Sequence, residues 1–295
     1  MAKRFITHSE DFHTDDVFAT ALLLSLFPDA EIIRSRDEQV LATGDIVYDV
    51  GRIYDPGKGR FDHHQLGSMT RPSGITYSAF GLLWKEYGLR YCEDDQELFA
   101  MIDAKLVEPI DATDNGQQLV EPKFEGVRPF VIEDVISQLN PLEWVAPDET
   151  YDAQFMEAVT LATRILDRTR QACRDKLRAK EYVLQRYAAA EDKRMIVLDR
   201  HASITECIER CPELLYVVSP RADKTWGVLA VSVAPGSFET RRPFPKEWRG
   251  QPAAELPKLT GVPDITFCHT TGFYAAANSR EGAIAVAQKA LPKPA

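Results

Sequence analysis

Four of the six histidines lie within the first 64 residues, at positions 8, 13, 63 and 64, and each stands near an aspartate. His8 and His13 precede Asp15, Asp49 closes an apolar run, and Asp62 sits directly before His63 and His64. Mixed imidazole and carboxylate ligation suits Mn2+ or Mg2+, whereas a closed structural zinc site calls for thiolates. A carboxylate has two oxygens, so an aspartate fixed at the end of a buried strand can bridge two ions held about 3.5 to 4 Å apart. Asp49 has that position and is expected to be essential to catalysis. An ion pair so placed activates water and clamps a phosphorus centre, which makes hydrolysis of a phosphate ester or anhydride the expected chemistry. Two divalent metal ions are the expected cofactors, Mn2+ ahead of Mg2+.

Consecutive side chains on an extended backbone point to opposite sides, so His63 and His64 are not expected on one ion. One ligates while the other contacts phosphate or donates a proton. A single His or Asp in such a place is more often a cap or turn residue, and Asp15 or Asp16 would serve as a helix N-cap. The concentration of such positions, at His8, His13, Asp15, Asp49, His63 and Asp111, favours a shared centre.

To converge, these residues need strands that end beside one another. Apolar runs at 4–7, 31–34 and 46–50 read as strands, separated by helices at 16–27 and 37–42. That alternation argues for a covered parallel sheet, whose strand ends carry functional residues. A turn-rich stretch follows at 51–59, then helices at 73–87 and 94–110 and a loop at 111–116. The signal from 129 to 190 is helical and ends in a charged run, read as a solvated helix face, with contact to RNA as the alternative. Strands at 195–198, 214–219, 226–233 and 265–268 with a last helix at 281–291 form a second alternating unit. After the last of these strands, His269, Asn278, Ser279 and Arg280 suit phosphate or sugar contact, or else a capped helix start.

The 295 residues are 44% hydrophobic and 27% charged, an ordinary globular balance that two domains would share. Five cysteines, scattered and odd in number, exclude a disulfide framework, and Cys207 and Cys211 lack the Cys-x2-Cys spacing of zinc sites. A net charge of -10 excludes global attraction to long nucleic acid, so a phosphate substrate must be held locally by ions and a few basic side chains. Arg241, Arg242 and Arg249 are read as surface residues, with cleft lining as the alternative. No apolar run nears the roughly 20 residues that span a bilayer, and the first residues lack the apolar core of a signal peptide. The expectation is a cytoplasmic protein with no membrane partner.

Seven blocks stand in order along the chain: Thr7-His8 with Phe12-His13-x-Asp15, Tyr48-Asp49-Val50-Gly51, Phe61-Asp62-His63-His64-Gln65, Ile110-Asp111-Ala112-Thr113-Asp114-Asn115-Gly116, Pro235-Gly236-Ser237-Phe238-Glu239, Trp248-Arg249-Gly250 and Arg280-Glu281-Gly282-Ala283. Together they resemble the DHH phosphoesterase superfamily and, within it, the melanocyte proliferating gene protein family of metal-dependent hydrolases. The likeness runs the whole chain. It implies an α/β fold with a DHH-type parallel-sheet domain over 1–125, a helical connector over 126–190 and a second, smaller α/β substrate-binding domain over 191–295. By the same resemblance His8, His13 and Asp49 hold one metal, Asp15, Asp49, His63 and Asp111 hold the other, and His64 faces the phosphate as a catalytic group. Asp114, placed like Asp62 behind the ligands, is the rival to Asp111. Asp62 orients a histidine from behind or forms a turn.

The chain departs from the superfamily pattern in two places. His8 is followed by His13 and Asp15 where the usual motif is His-x3-Asp-x-Asp, and Ala275-Ala276 stand where the family has Gly-Gly, with methyl groups that would narrow a loop. The implied activity is that of a nuclease or phosphodiesterase, exonuclease-like, acting on short RNA or single-stranded oligonucleotides. A pyrophosphatase or other small-phosphate hydrolase is the rival enzyme, and a non-catalytic metal- or nucleotide-binding protein the rival of another class. The expected partner is a phosphate-containing substrate, with a homodimer left open.

Overall fold

The structure, a computed structural model, describes residues 2–65, 67–142, 144–146 and 148–292. The chain forms two compact units, Met1–Cys173 and Arg174–Ala295. Both are mixed α/β, each with its own five-stranded sheet.

In the first unit β1 (Arg4–Thr7), β2 (Glu31–Arg34), β3 (Ile46–Tyr48), β4 (Tyr54–Asp55) and β5 (Arg60–Phe61) lie in the order β2-β1-β3-β5-β4. All neighbours are parallel except β4 and β5. Phe5, Ile6, Ile46, Val47 and Tyr48 are all buried. That continuous run, rather than an alternation, is what a sheet covered on both faces selects. Helix α1 (Thr14–Leu26) buries every residue from Thr14 to Leu23. It packs on α3 (Ala79–Tyr91), where Phe18 and Phe80 bring their rings to 5.6 Å.

Two expected boundaries move. The helix read at 73–87 begins only at Ala79, because Ser78 is its N-cap and the residues before it turn back through a Thr70–Thr76 bridge. The loop read at 111–116 is largely helix. After α2 (Glu38–Leu41) and α3 come α4 (Gln96–Ile102), a π-helical turn at Asp103–Val107, and α5 (Glu108–Asp114) without a break. Pro109 has no N–H to give the preceding turn, and its ring crowds that turn's carbonyl; the wider π turn accommodates both. Beyond α5, the stretch read as helical contains α6 (Ile132–Ser137) and the long α7 (Tyr151–Ala189), which runs across the boundary between the units.

In the second unit β6 (Met195–Val197), β7 (Tyr216–Pro220), β8 (Trp226–Ala230), β9 (Ile265–Cys268) and β10 (Tyr274–Ala277) lie in the order β6-β7-β8-β10-β9. Only β6 and β7 are parallel. After α8 (Leu256–Thr260), α9 (Arg280–Ala290) covers one face, packing Val286 and Ala287 into a core with Tyr216, Val218 and Val228. Strand β10 escaped the sequence reading because Ala275-Ala276-Ala277 has no β-branched signal. Ala275 and Ala276 therefore narrow no loop: they are fully buried in mid-strand between β8 and β9. All five cysteines are buried, and no helix among the described residues is long and apolar enough to cross a membrane.

Candidate metal centre

Strands β1, β3 and β5 run parallel, so the residues that follow them emerge at one edge of the sheet. His8 follows β1. Asp49 follows β3 with φ of 54°, a left-handed backbone that an aspartate tolerates better than a branched residue. Asp62, His63 and His64 follow β5. The first turn of α1 adds Asp15 and Asp16 at its positive end, where carboxylates are favoured.

The resulting distances are short. His8 Nε2 lies 3.2 Å from Asp49 Oδ2 and 3.3 Å from Asp16 Oδ2. His63 Nε2 lies 3.3 Å from Asp49 Oδ1, 3.4 Å from Asp114 Oδ2 and 3.8 Å from Asp15 Oδ2. The two oxygens of Asp49 thus face two different histidines. His13, exposed, brings its ring to 5.6 Å from that of His8. Their cleft, of about 280 Å3, is lined by His13, Asp49, His63, His64 and Asp114, with Glu133 and Ser137 of α6 also on its walls.

Charges packed this closely perturb one another. Burial pushes the Asp15, Asp16 and Asp114 carboxyls up, and the neighbouring carboxylates push them further. Burial also opposes ionisation of Asp49, but the His63 and His8 rings outweigh it and hold this carboxyl below the usual range. Burial lowers His8, yet Asp49 and Asp16 overcome that and raise it to about 9. Four ionisable atoms of this cluster, His8 Nε2, Asp15 Oδ1, Asp16 Oδ2 and Asp49 Oδ1, make no well-formed hydrogen bond, although the His8 and His63 rings face Asp16 and Asp49 at 3.3 Å. Buried carboxylate oxygens are costly unless something positive meets them. Their donor chemistry fits a divalent cation. Sets with ligand atoms within 4.8 Å of one another are His8, His13 and Asp49; Asp15, His63 and Asp114; Asp49, His63 and His64; and Asp15, Asp16 and Asp49.

Asp111, expected among the ligands, stands elsewhere. Its Oδ2 accepts from Arg71 Nε at 2.6 Å, and its Oδ1 from Ser78 Oγ at 2.7 Å and Ser78 N at 3.1 Å. Arg71 spends its other two nitrogens on Asp103 of the π turn, at 2.8 and 3.0 Å. Burial pushes Asp111 up to about 6, with Arg71 and Ser78 pulling the other way. A Cβ on Gly81 would come within 2.2 Å of both its oxygens, so only glycine admits this carboxylate against α3. Because 111–114 is helical, Asp114 lies one turn further on and reaches the cleft while Asp111 faces α3. The Arg71 network still serves the centre, since Ala79 N, at the start of α3, donates to Asp15 at 3.2 Å.

Asp62 accepts from His64 Nδ1 at 2.8 Å, from His64 N at 2.9 Å and from Arg52 N at 2.6 Å. This bond is the main reason that the half-exposed His64 ring is raised. Two participants had no motif to announce them. Asp16 reads from sequence as a cap, and it does accept from His13 N at 2.9 Å, but its other oxygen turns to His8. Arg36, exposed, places Nη2 3.2 Å from His8 Nδ1.

The polar cluster of the second unit is differently disposed. Ser279 caps α9 by accepting from Gly282 N at 3.0 Å, and its own N and Oγ donate to Asp264. Asn278 N donates to the Asp264 carbonyl at 3.0 Å, His269 Nδ1 lies 2.9 Å from Thr271 Oγ1, and Arg280 sits over the Trp226 ring. Arg241 binds the carbonyls of Ile208, Cys211 and Leu214, Arg242 that of Ala290, and Arg249 that of Phe244.

The family model for MYG1, described as "Uncharacterised protein family (UPF0160)", matches residues 4–291. The chain belongs to that family. Among its MYG1 relatives, the MYG1 exonuclease of Homo sapiens is 30% identical over 98% of this chain and 85% of its own. A MYG1 protein of Schizosaccharomyces pombe is 32% identical over 99% and 98%, and the MYG1 exonuclease of Rattus norvegicus 31% over 98% and 84%. A crystal structure of an uncharacterized protein from Helicobacter pylori G27 pairs with 94% of this chain and 93% of its own at 9% identity and a TM-score of 0.28, too slight a likeness to speak for the fold.

Proposed function

We propose that this MYG1-family chain is a hydrolase that uses two divalent ions, Mn2+ ahead of Mg2+, to cleave phosphodiesters of short RNA or single-stranded oligonucleotides in an exonuclease-like manner. The observation that carries this reading is the set of four buried atoms on His8, Asp15, Asp16 and Asp49 that make no well-formed hydrogen bond. His8, His13 and Asp49 would hold one ion, and Asp15, His63 and Asp114 the other, with Asp49 shared. When bound, the ions supply Lewis acidity that lowers the pKa of water and neutralises charge at phosphorus. Asp114 takes the place first expected of Asp111, which acts instead through Ser78 and α3 to position Asp15. Asp62 keeps a proton on His64, which is thereby suited to donate to the departing oxygen. The Asp62-His63-His64 motif beside these ligands supports kinship of the first unit with DHH phosphoesterases. The names of the human and rat relatives support a nuclease.

A polyphosphate substrate fits less well. Among the described residues the cleft lining includes no Lys or Arg, and it does include Glu133, so its walls offer a second phosphate no basic side chain beyond Arg36 beside His8. Incubation of the Mn2+-loaded chain with end-labelled RNA and DNA pentamers, a cyclic dinucleotide and pyrophosphate tests the reading. Stepwise release of mononucleotides from RNA is expected. Cleavage of pyrophosphate alone would install the small-phosphate reading, and tight Mn2+ binding without hydrolysis of any of the four would make the protein a non-catalytic binder.

A further inference from the structure

The second unit carries an aromatic surface for which the metal centre has no use. Helix α9 covers one face of its sheet, and the other face is covered at the β6–β7 end, where Val183 of α7 packs with Ile196 and Val217. Over β8, β10 and β9 that other face opens. The row Gly227–Ala276–Phe267 crosses it, and Phe267 is 45% exposed, with Phe273 beside it at 39%. Four rings follow one another there, Tyr274, Phe273, His269 and Phe267, with successive centroids 6.0, 4.5 and 6.1 Å apart. Tyr274 lies flat across the sheet: its hydroxyl occupies the place of a Cβ on Gly227, 2.0 Å from where that atom would sit. A cavity of about 560 Å3 adjoins it, apolar at Leu229 and Tyr274 and polar at His201, Ser219 and Arg221.

We infer that this face binds single-stranded nucleic acid by stacking its bases on the rings, with Arg221 and His201 at the cavity taking phosphate. The inference rests on the nuclease reading for the identity of the occupant. Every base has a π-face, so the exposed Phe267 and Phe273, backed by the half-buried His269 and Tyr274, can hold a strand without regard to sequence, and sheet-borne aromatics meet only bases that are already unstacked. A cavity of this volume is in the range that admits a nucleoside-sized group. The net charge of -10 gives the chain little purchase on a phosphate backbone, so base stacking has to carry the affinity. Arg221 shares its guanidinium with Asp223 at 3.2 Å, which limits the phosphate contribution further and predicts a shallow salt dependence.

Fluorescence anisotropy of the full chain in EDTA, which stops turnover, separates stacking from backbone contact. The probes are a fluorescein-labelled RNA hexamer and an abasic phosphodiester chain of the same length. The RNA is expected to bind at least roughly tenfold more tightly than the abasic chain, and Phe267→Ala and Phe273→Ala each to weaken RNA binding roughly 5- to 100-fold without moving the abasic chain. Both rings are at the surface, so these variants keep the fold; Tyr274→Leu is the third arm. Equal affinity for the two probes, or RNA binding unchanged in both Phe variants, overturns the inference. So does a wild-type dimer in sedimentation that Phe267→Ala splits while RNA binding persists, since the face then belongs to a second copy. Mn2+-dependent hydrolysis of bis(p-nitrophenyl) phosphate, which has no base, tests the hydrolase reading separately. Its failure with base-dependent binding intact would remove that reading and leave this one.

Discussion

Both units set polar residues at the ends of a sheet, and they dispose of them in opposite ways. In the first unit His8, Asp15, Asp16 and Asp49 are buried together, with four polar atoms that make ion-pair contacts at best and no well-formed hydrogen bond. In the second, the Ser279 side chain and the Asn278 backbone N–H are tied to Asp264, and Arg241, Arg242 and Arg249 to backbone carbonyls. Residue types do not separate a site from a scaffold. Hydrogen-bond accounting does, because buried polar groups are nearly always satisfied and a cluster of orphans implies an absent partner.

The largest expected effect follows from removing the residue shared by most of the orphans. Asp49→Ala should lower turnover of an RNA pentamer with Mn2+ by about 10^3-fold or more, with circular dichroism unchanged. Near-normal turnover would dissolve the contrast between the units. Next comes the pair one helical turn apart. Asp114→Asn should reduce the Mn2+ stoichiometry in calorimetry from two ions to one. Asp111→Asn should keep both ions and lower stability in urea by about 3 kcal/mol, since it leaves buried Arg71 short of a charge. Loss of an ion from Asp111→Asn instead would restore the assignment first made from sequence.

The pH response is the third consequence. His8 rises from 6.5 to about 9, so in the ion-free protein its stabilisation is complete below pH 6.5 and gone above about 9. Asp16 and Asp114 are raised as well, so the native state retains protons that the unfolded chain has released, and this too loses stability as pH rises. Both signs agree: the unfolding temperature in EDTA should fall between pH 6 and 9. On the proposed reading Mn2+ would replace those protons, so the gap between Mn2+-loaded and ion-free curves should widen over the same window. Scanning fluorimetry in the two buffers checks it, and an ion-free curve that rises with pH would contradict it. The smallest effect belongs to the satisfied cluster. Ser279→Ala should cost about 1 kcal/mol as a lost helix cap, with KM for RNA unchanged; a raised KM at unaltered stability would return Ser279 to the substrate.

Much of the first unit was legible because its signals are local. Parallel strands as unbroken apolar runs, and His or Asp directly after them, can be read without knowing what packs where. Asp111 and Asp114 could not be told apart, because that choice depends on the phase of a helix whose start is set by the π turn and Pro109. Asp16 was hidden by its own competence as a capping residue. Strand β10 was hidden by three alanines, all fully buried, Ala275 and Ala277 under α9 and Ala276 on the other face, and none chosen for strand propensity. Glu133 reaches the cleft from a helix distant in sequence, for which no pattern stands.

The four orphaned atoms carry a consequence for the life of the protein. On the two-ion reading, a chain whose interior repulsion is relieved by bound ions as well as by protons would gain RT ln(1 + [ion]/Kd) of stability from its surroundings, about 2.7 kcal/mol at a hundredfold excess over Kd. In a metal-starved cell the same molecule opens more often, and proteases act on what opens. Its abundance should therefore follow the supply of manganese or magnesium, without any change in the rate at which it is made.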